Sequence, residues 1–339
     1  MTLMEALEWL LWPFTLPYGA YVRLRAFAYR KGILKQERLG GRVISVGNLT
    51  TGGTGKTPMV LWIAERLLAE GMTAGILTRG YGGKLLPSGS TSDEVQLLSK
   101  RLGDRVLFGV GSDRFARGRE LAQRGVEWFI LDDGFQHLQL ARDADIVLID
   151  AIRPFGGGHL LPAGRLREPR SALQRAHAIV ITRSDHAPAL EAALRRQTDA
   201  PIFYARNKLD SVRLLRGGDT GEEDPRSRFR RFFAFCGIGN PDSFLADLHD
   251  WGLRVVGHQF FPDHHRYIQH DLESVGAAAH AAGADGLICT EKDVFNLAGV
   301  KWRAADIWYC RIGLRIGRED EFWDTIKAAI ALHRGSAAT

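Results

Sequence analysis

Short runs of β-branched and aliphatic residues alternate along this chain with longer stretches whose apolar positions recur at helical spacing. From residue 43 onward the runs 43–46, 74–77, 106–108, 127–131, 145–149, 178–182 and 202–205 read as strands. Between most of them lie helical patterns, notably 57–70, 93–101, 114–124 and 188–197. Such alternation predicts an α/β fold with a doubly wound, mainly parallel sheet, whose ligands sit at the carboxyl ends of the strands. Composition shifts to Gly, Asp, Glu, Arg and Ser around 216–230, which reads as a solvated connector. A second series follows: strand 232–235, helix 242–250, strand 253–257, helix 269–281, strand 286–289, helix 292–297, strand 306–311 and helix 319–333. The expected organisation is an N-terminal segment 1–42, a larger domain 43–215, the connector 216–230 and a smaller C-terminal α/β domain 231–339.

Residues 1–42 differ from the rest. Trp9 to Val22 is an uncharged run of 14 residues containing Trp9, Trp12, Phe14, Tyr18 and Tyr21. It falls short of the roughly 18 apolar residues that a membrane-crossing helix needs, and Pro13 and Pro17 are expected to interrupt it. The opening residues carry Glu5 and Glu8 rather than the basic start of a signal peptide. Arg23, Arg25, Arg30, Lys31, Lys35, Arg38 and Arg42 follow. Apolar and aromatic residues followed by cations suit a helix lying on an anionic membrane surface. A helical arm packed on the protein's own core fits the same pattern, and the sequence leaves both open.

The strand 43–46 opens into Thr50, Thr51, Gly52, Gly53, Thr54, Gly55, Lys56 and Thr57, and then into the helix 57–70. Strand, glycine loop and helix ending the loop in Gly-Lys-Thr make a P-loop, so the larger domain is expected to be P-loop NTPase-like. Backbone N–H groups there would cradle phosphate oxygens at the positive end of the helix dipole. Lys56 would reach the β- and γ-phosphates of ATP, and the Thr57 hydroxyl would hold Mg²⁺. Thr50 occupies a position where the regular motif has glycine, so Gly52, Gly53 and Gly55 must make the turn.

Other strand ends carry polar groups. The strand 127–131 ends in Asp132 and Asp133, which follows Walker B logic: a carboxylate at the strand tip, facing the P-loop threonine and binding Mg²⁺. The loop 153–170 is dense in Gly, Pro and Arg. Its Arg153, Arg165, Arg167 and Arg170 suit a phosphate-bearing partner, and Glu168 is placed to reach a metal. Ser92 and Asp93 stand at a helix start, where a plain N-cap is the ordinary reading. His264 and His265, adjacent in an extended segment, are expected to point to opposite sides and not to share one ion. One histidine that orients or protonates a partner is favoured over a polar surface turn. Residues 182–185 and 207–210 resemble the guanine-reading Asn-Lys-x-Asp of GTPases, but no GTPase switch accompanies either. The strand end at Cys289 to Asp293 gives only a weak pointer towards nucleotide.

Bulk properties narrow the class less. The chain has 339 residues, 45% hydrophobic and 25% charged, an ordinary globular composition with net charge +6. A basic total suits nucleic acid, anionic lipid or an acidic substrate alike, and no nucleic-acid recognition motif is present. Three distant cysteines, Cys236, Cys289 and Cys310, form neither a zinc spacing nor a disulfide framework, so a reducing compartment is expected.

Taken together, GNLTTGGTGKTP, LTRGYGG, SDEV, DDGFQH, FGGGHLLPAGRLREP, FPDHHRY and CTEKD resemble the tetraacyldisaccharide 4′-kinase family, the lipid A 4′-kinases of Gram-negative bacteria. The likeness runs in order along nearly the whole chain, and DDGFQH and LLPAGRLREP are its most specific parts. It implies ATP- and Mg²⁺-dependent phosphorylation of the 4′-hydroxyl of a lipid A disaccharide 1-phosphate to give lipid IVA. It also implies a peripheral or monotopic enzyme at the cytoplasmic face of the inner membrane, with the N-terminal segment as the membrane contact. By the same resemblance Asp93 is the general base, assisted by His264 from the second domain. Lys56 and Thr57 serve phosphate and metal, Asp132, Asp133 and Glu168 surround Mg²⁺, and Arg79, Tyr81 and His137 line the site. A monomer is expected, with no nucleic-acid partner. The rival reading is a switch or scaffold ATPase of the partitioning or metallochaperone type. Against it, Thr51 stands where many such ATPases carry a second lysine, and the Cys/His clusters of a metallochaperone are missing.

Overall fold

The computed structural model describes residues 3–80, 93–215, 231–297, 299–300 and 305–335. In chain order these form α1 (Leu3–Arg30), β1 (Arg42–Asn48), α2 (Lys56–Ala69), β2 (Ala74–Thr78), α3 (Asp93–Leu102), β3 (Val106–Val110), α4 (Arg114–Gln123), β4 (Trp128–Asp132), β5 (Ala144–Asp150), β6 (Ala178–Thr182) and α5 (Pro188–Arg195). There follow β7 (Ile202–Leu214), β8 (Phe232–Cys236), α6 (Pro241–Asp250), β9 (Val255–Phe260), α7 (Gln269–Ala281), β10 (Gly286–Thr290), α8 (Glu291–Asn296), β11 (Ile307–Ile316) and α9 (Glu319–Gly335). Tyr81, Ser92 and the connector 216–230 lie outside the described residues.

The chain divides into two compact units. The first comprises residues 1–90, 102–206 and 314–339, and the second 91–101 and 207–313. The chain passes between them within β7 and again within β11. The sequence reading groups residues 93–101 with the P-loop, whereas their contacts group them with the second unit. Ion pairs from Arg101 to Glu291 and from Lys292 to Glu94 tie this segment there.

In the first unit the strand order is β3-β2-β4-β1-β5-β6-β7. The pairs β2/β3, β2/β4, β1/β4, β1/β5, β5/β6 and β6/β7 are all parallel. β1 lies where the winding reverses, with β4 on one side and β5 on the other, and such a switch point opens a crevice at the carboxyl ends of the strands. Strands buried on both faces read as near-continuous apolar runs, and Ile146, Val147, Leu148 and Ile149 of β5 are all buried. One apolar cluster gathers Val43, Leu77, Leu121, Phe129 and Leu131, and another Leu49, Phe135, Val147, Ile149, Ile179 and Ile181.

In the second unit β11, β10, β8 and β9 follow one another in parallel. The run from Phe232 to Cys236 shows the two-residue period of a strand: Phe232, Ala234 and Cys236 enter one core, Phe233 and Phe235 the other. Cys236, Cys289 and Cys310 are free and buried, and burial pushes their thiols up.

α1 is continuous through Pro13 and Pro17, contrary to the interruption expected from the sequence. Each proline removes one backbone hydrogen bond, so contacts elsewhere must hold the helix. The buried Gly19 packs against Leu160, while Phe14, Tyr21 and Leu24 are exposed. Among the described residues no helix is long and apolar enough to cross a membrane.

Candidate active site

Backbone geometry builds the phosphate loop. Gly52 and Gly55 take φ values of +120° and +86°, which side chains with a Cβ adopt only under strain. Gly55 caps α2, so the loop ends where the N–H groups of the first helical turn remain unpaired. Lys56 begins α2 and the buried Thr57 follows it. The Thr54 hydroxyl is buried and has no hydrogen-bond partner among the described residues, which leaves a polar atom in the loop to be satisfied by a ligand.

Two supports hold the loop from β6. The Thr182 hydroxyl donates to the Thr54 carbonyl at 3.2 Å, and Arg183 donates to the Gly53 carbonyl at 2.8 Å. Arg183 itself takes a positive φ of 64° and pairs with Asp150 at 2.5 Å. A third support is the loop 153–170: the Thr51 N–H donates to the Arg165 carbonyl at 2.8 Å, and Thr50 pairs with Leu166. Arg165 thus reaches the P-loop through its backbone.

The register of β1 against β4 sets Asp132 beside Val46, just before the P-loop. The Asp132-Asp133-Gly134-Phe135 turn presses onto β1, where the Gly134 N–H donates to the Val46 carbonyl at 2.9 Å. A Cβ on Gly47 would lie 2.6 Å from the Phe135 Cβ, so only glycine permits this approach. Asp133 takes a φ of +49°, a costly conformation for a residue with a side chain.

That conformation accompanies a dense charge cluster. Asp133 accepts two hydrogen bonds from Arg167, both 2.8 Å, and lies 3.5 Å from Lys56 Nζ. Burial opposes its charge, but the Arg167 hydrogen bonds and the Lys56, Arg167 and Arg114 charges outweigh burial and hold it well below the ordinary carboxylate range. Asn48 joins the cluster: its side-chain carbonyl accepts from Lys56 at 3.3 Å and also from Arg167. Asp132 accepts from the Thr78 hydroxyl at 3.1 Å. Glu168 is buried, paired with Arg175 at 3.0 Å, and accepts from Gln136 at 3.1 Å.

Arg114 is buried at the start of α4, within the electrostatic reach of Asp132, Asp133 and Arg79. Burial and the charges of Arg114, Arg142 and Arg25 push the His137 imidazole down to about 4, so it is neutral near pH 7. Among the described residues no group of three or more His, Cys, Asp or Glu side chains is arranged to hold an ion. The acidic groups here fit Mg²⁺ as a hard cation that takes one or two carboxylates and completes its shell with phosphate and water oxygens.

The second unit holds a carboxylate–imidazole pair. His264 donates from Nδ1 to Asp93 Oδ2 at 3.0 Å. The Asp93 side chain is 9% exposed and that of His264 41%. The turn puts His264 at φ +59° while its N–H donates to the Gly237 carbonyl at 3.0 Å. His265 goes elsewhere, 2.9 Å from Asp271 and stacked on Phe261. The two histidines diverge as expected, but through a turn at His264 rather than through strand alternation. Asp93 resists burial: the His264 hydrogen bond and the Lys292 and His264 charges lower its pKa. The Asp93 hydrogen bond raises that of His264.

The run Thr290 to Asp293 anchors this pair, a role that sequence reasoning missed. Lys292 pairs with Glu94 at 2.8 Å, next to Asp93. Glu291 accepts from Arg101 at 2.9 and 2.7 Å, an ion pair buried on both sides. These bonds span about 190 residues of sequence and are why α3 belongs to the second unit. Asp293, fully buried, accepts from the Gly237 N–H at 2.8 Å and from Tyr267 at 2.7 Å, and so fixes the turn that carries His264.

The family model described as Tetraacyldisaccharide-1-P 4′-kinase matches residues 7–331. A curated tetraacyldisaccharide 4′-kinase from Pelobacter propionicus is 40% identical over 334 residues, 94% of this chain and 91% of the relative. The one from Geobacter metallireducens is 41% identical over 314 residues, 87% of this chain and 90% of the relative. Among solved structures, LpxK from Aquifex aeolicus in complex with ATP aligns with a TM-score of 0.73 at 29% identity, covering 96% of this chain and 99% of that one. The chain belongs to the tetraacyldisaccharide 4′-kinase family.

Proposed function

We propose that this chain transfers the γ-phosphoryl group of ATP to the 4′-hydroxyl of tetraacyldisaccharide 1-phosphate, giving lipid IVA and ADP. The observation that carries this reading is the presence in one family member of two built sites. One is a P-loop whose Lys56 stands beside Asp133; the other is a carboxylate–imidazole pair, Asp93 and His264.

The chemistry divides between them. A sugar hydroxyl is a poor nucleophile at neutral pH, and a carboxylate in hydrogen-bond reach can take its proton as the new bond forms. Asp93 serves as that base and takes the hydroxyl proton, and His264, donating from Nδ1, orients the carboxylate. The 4′-oxygen attacks the γ-phosphorus, the bond to the β,γ-bridging oxygen breaks, and ADP leaves with that electron pair. Residues 50–57 bind the triphosphate, and Lys56 neutralises charge on the transferring group. Thr57 with Asp132 or Asp133 would hold Mg²⁺, while Glu168, expected from the sequence to join them, is paired with Arg175 and Gln136; the ion would supply charge neutralisation across the phosphates. Arg79, His137 and Arg165 line the substrate path, with His137 as a neutral hydrogen-bonding group; Tyr81, expected beside them, lies outside the described residues.

The reading extends to location. The exposed apolar residues of α1, followed by Arg23, Arg30, Lys31 and Lys35, support peripheral attachment of a monomer to an anionic membrane surface, the cytoplasmic face of the inner membrane. The deciding experiment measures ATP consumption with and without the acylated disaccharide in mixed micelles. Turnover that requires the lipid supports the reading. Hydrolysis that ignores the lipid and responds to a protein partner would favour the switch-ATPase alternative.

A further inference from the structure

We propose that the inner face of α1 positions the nucleotide site, with Tyr18 as the positioning residue. This deepens the reading above and rests on it, since it takes the P-loop to hold Mg·ATP.

α1 makes two polar contacts with the loops around the nucleotide site. The Tyr18 hydroxyl donates to the Arg167 carbonyl at 2.9 Å, and Arg25 donates to the Gln136 carbonyl at 3.0 Å. The two residues lie two turns apart and share one helix face. Their targets have one thing in common: the side chains of both Arg167 and Gln136 end on Asn48. Arg167 reaches the Asn48 side chain while gripping Asp133 with both terminal nitrogens, each at 2.8 Å. Gln136 donates to the Asn48 carbonyl at 3.0 Å and to Glu168 at 3.1 Å. Asn48 in turn accepts from Lys56 at 3.3 Å.

The steps from Tyr18 to Arg167 and from Arg167 to Asp133 are short, at 2.9 and 2.8 Å. The Arg167 N–H is fixed by the Leu49 carbonyl at 2.7 Å, so Tyr18 and Leu49 hold the two faces of one peptide segment. A bidentate guanidinium tolerates little error in the angle of its stem. Releasing the Arg167 carbonyl lets that segment rotate and loosens the grip on Asp133. The side chain that shapes Lys56 and the acidic cluster therefore takes its aim from a helix far away in sequence. A helix docked by apolar packing alone, such as Gly19 on Leu160, would not notice the loss of one hydroxyl.

The test is Mg·ATP binding to the full chain, measured by calorimetry in wild type, Tyr18→Phe, Arg167→Ala and the double variant. Phenylalanine keeps the ring and removes only the donor. The expected result is a Kd about three- to tenfold higher in Tyr18→Phe, the size of one lost hydrogen bond. The midpoint of Mg²⁺ activation should rise with it, while KM for the acylated disaccharide stays put. In the Arg167→Ala background the Tyr18 substitution should have no further effect, because its path runs through that guanidinium. Arg25→Leu, which removes the second contact, should also weaken Mg·ATP binding. Wild-type affinity in Tyr18→Phe, or an equal loss in both backgrounds, would overturn the inference. A wild-type protein that does not bind Mg·ATP would instead overturn the reading beneath it.

Discussion

His264 Nδ1 lies 3.0 Å from Asp93 Oδ2, and the two residues stand 171 positions apart in the chain. Each shifts the other in the direction that favours an ion pair. Asp93 is held low against the cost of burial, and His264 is held high. A base that must be ionised to work gains range at low pH from such a partner.

His264→Gln should therefore move the acidic limb of the kcat/KM profile to higher pH, because Asp93 loses the hydrogen bond and charge that lower it. The rate at the plateau should also fall. The linkage has a definite sign for stability as well. The Asp93 contribution is present above its unfolded pKa and fades as pH falls through the depressed folded value. The His264 contribution is present below its unfolded pKa and fades as pH rises through the raised one. pH–rate profiles of wild type and variant decide; superimposable acidic limbs would remove His264 from the role.

Glu291→Ala should be a folding lesion with a catalytic echo. It leaves the Arg101 guanidinium, 4% exposed in its side chain, without its main carboxylate. Stranding one partner of a buried ion pair costs about 3–5 kcal/mol. Thermal or urea unfolding should show that loss, and Asp93, carried on the same helix, should lose activity with it. Lys292→Met, at a partly exposed pair, should cost less stability.

Arg183→Ala should weaken Mg·ATP binding severalfold and leave the affinity for the lipid acceptor unchanged. The arginine holds the Gly53 carbonyl in place and aligns the loop's N–H groups. Titration calorimetry with ATP measures it, and an unchanged Kd would show the loop to be shaped without this clamp.

His137 should stay neutral until the pH falls to about 4. Its neutral, buried form adds stability above the unfolded histidine pKa, and that contribution fades as pH falls through the folded value. Imidazole chemical shifts followed by NMR between pH 3 and 8, a range set around the unperturbed value of about 6.5, give the midpoint directly.

Much of this was readable in the chain. Strand positions came from apolar runs, and the P-loop and the Asp132-Asp133 tip came from residue types whose chemistry is local. What stayed hidden depends on distant partners or on backbone. Thr182 and Arg183 look like a poor guanine-reading motif, yet their contacts are with P-loop carbonyls, which no side-chain motif encodes. Residues 93–101 look like part of the P-loop domain by adjacency, but pairs with distant residues such as Glu291, Lys292 and His264 attach them to the second unit. Asn48 lies inside the GNLTTGGTGKTP stretch but its residue type suggested no role, though Lys56, Arg167 and Gln136 meet on it. The prolines of α1 misled because local propensity was overridden by contacts such as Tyr18 on Arg167.

The most direct measurement is single-turnover transfer from [γ-³²P]ATP to tetraacyldisaccharide 1-phosphate by wild type and Asp93→Ala, alongside Mg·ATP binding to each. The account predicts label at the 4′-position with wild type, a transfer rate roughly 10²–10⁴-fold lower in the variant, and nearly equal Mg·ATP affinity. Transfer by Asp93→Ala at the wild-type rate would contradict it.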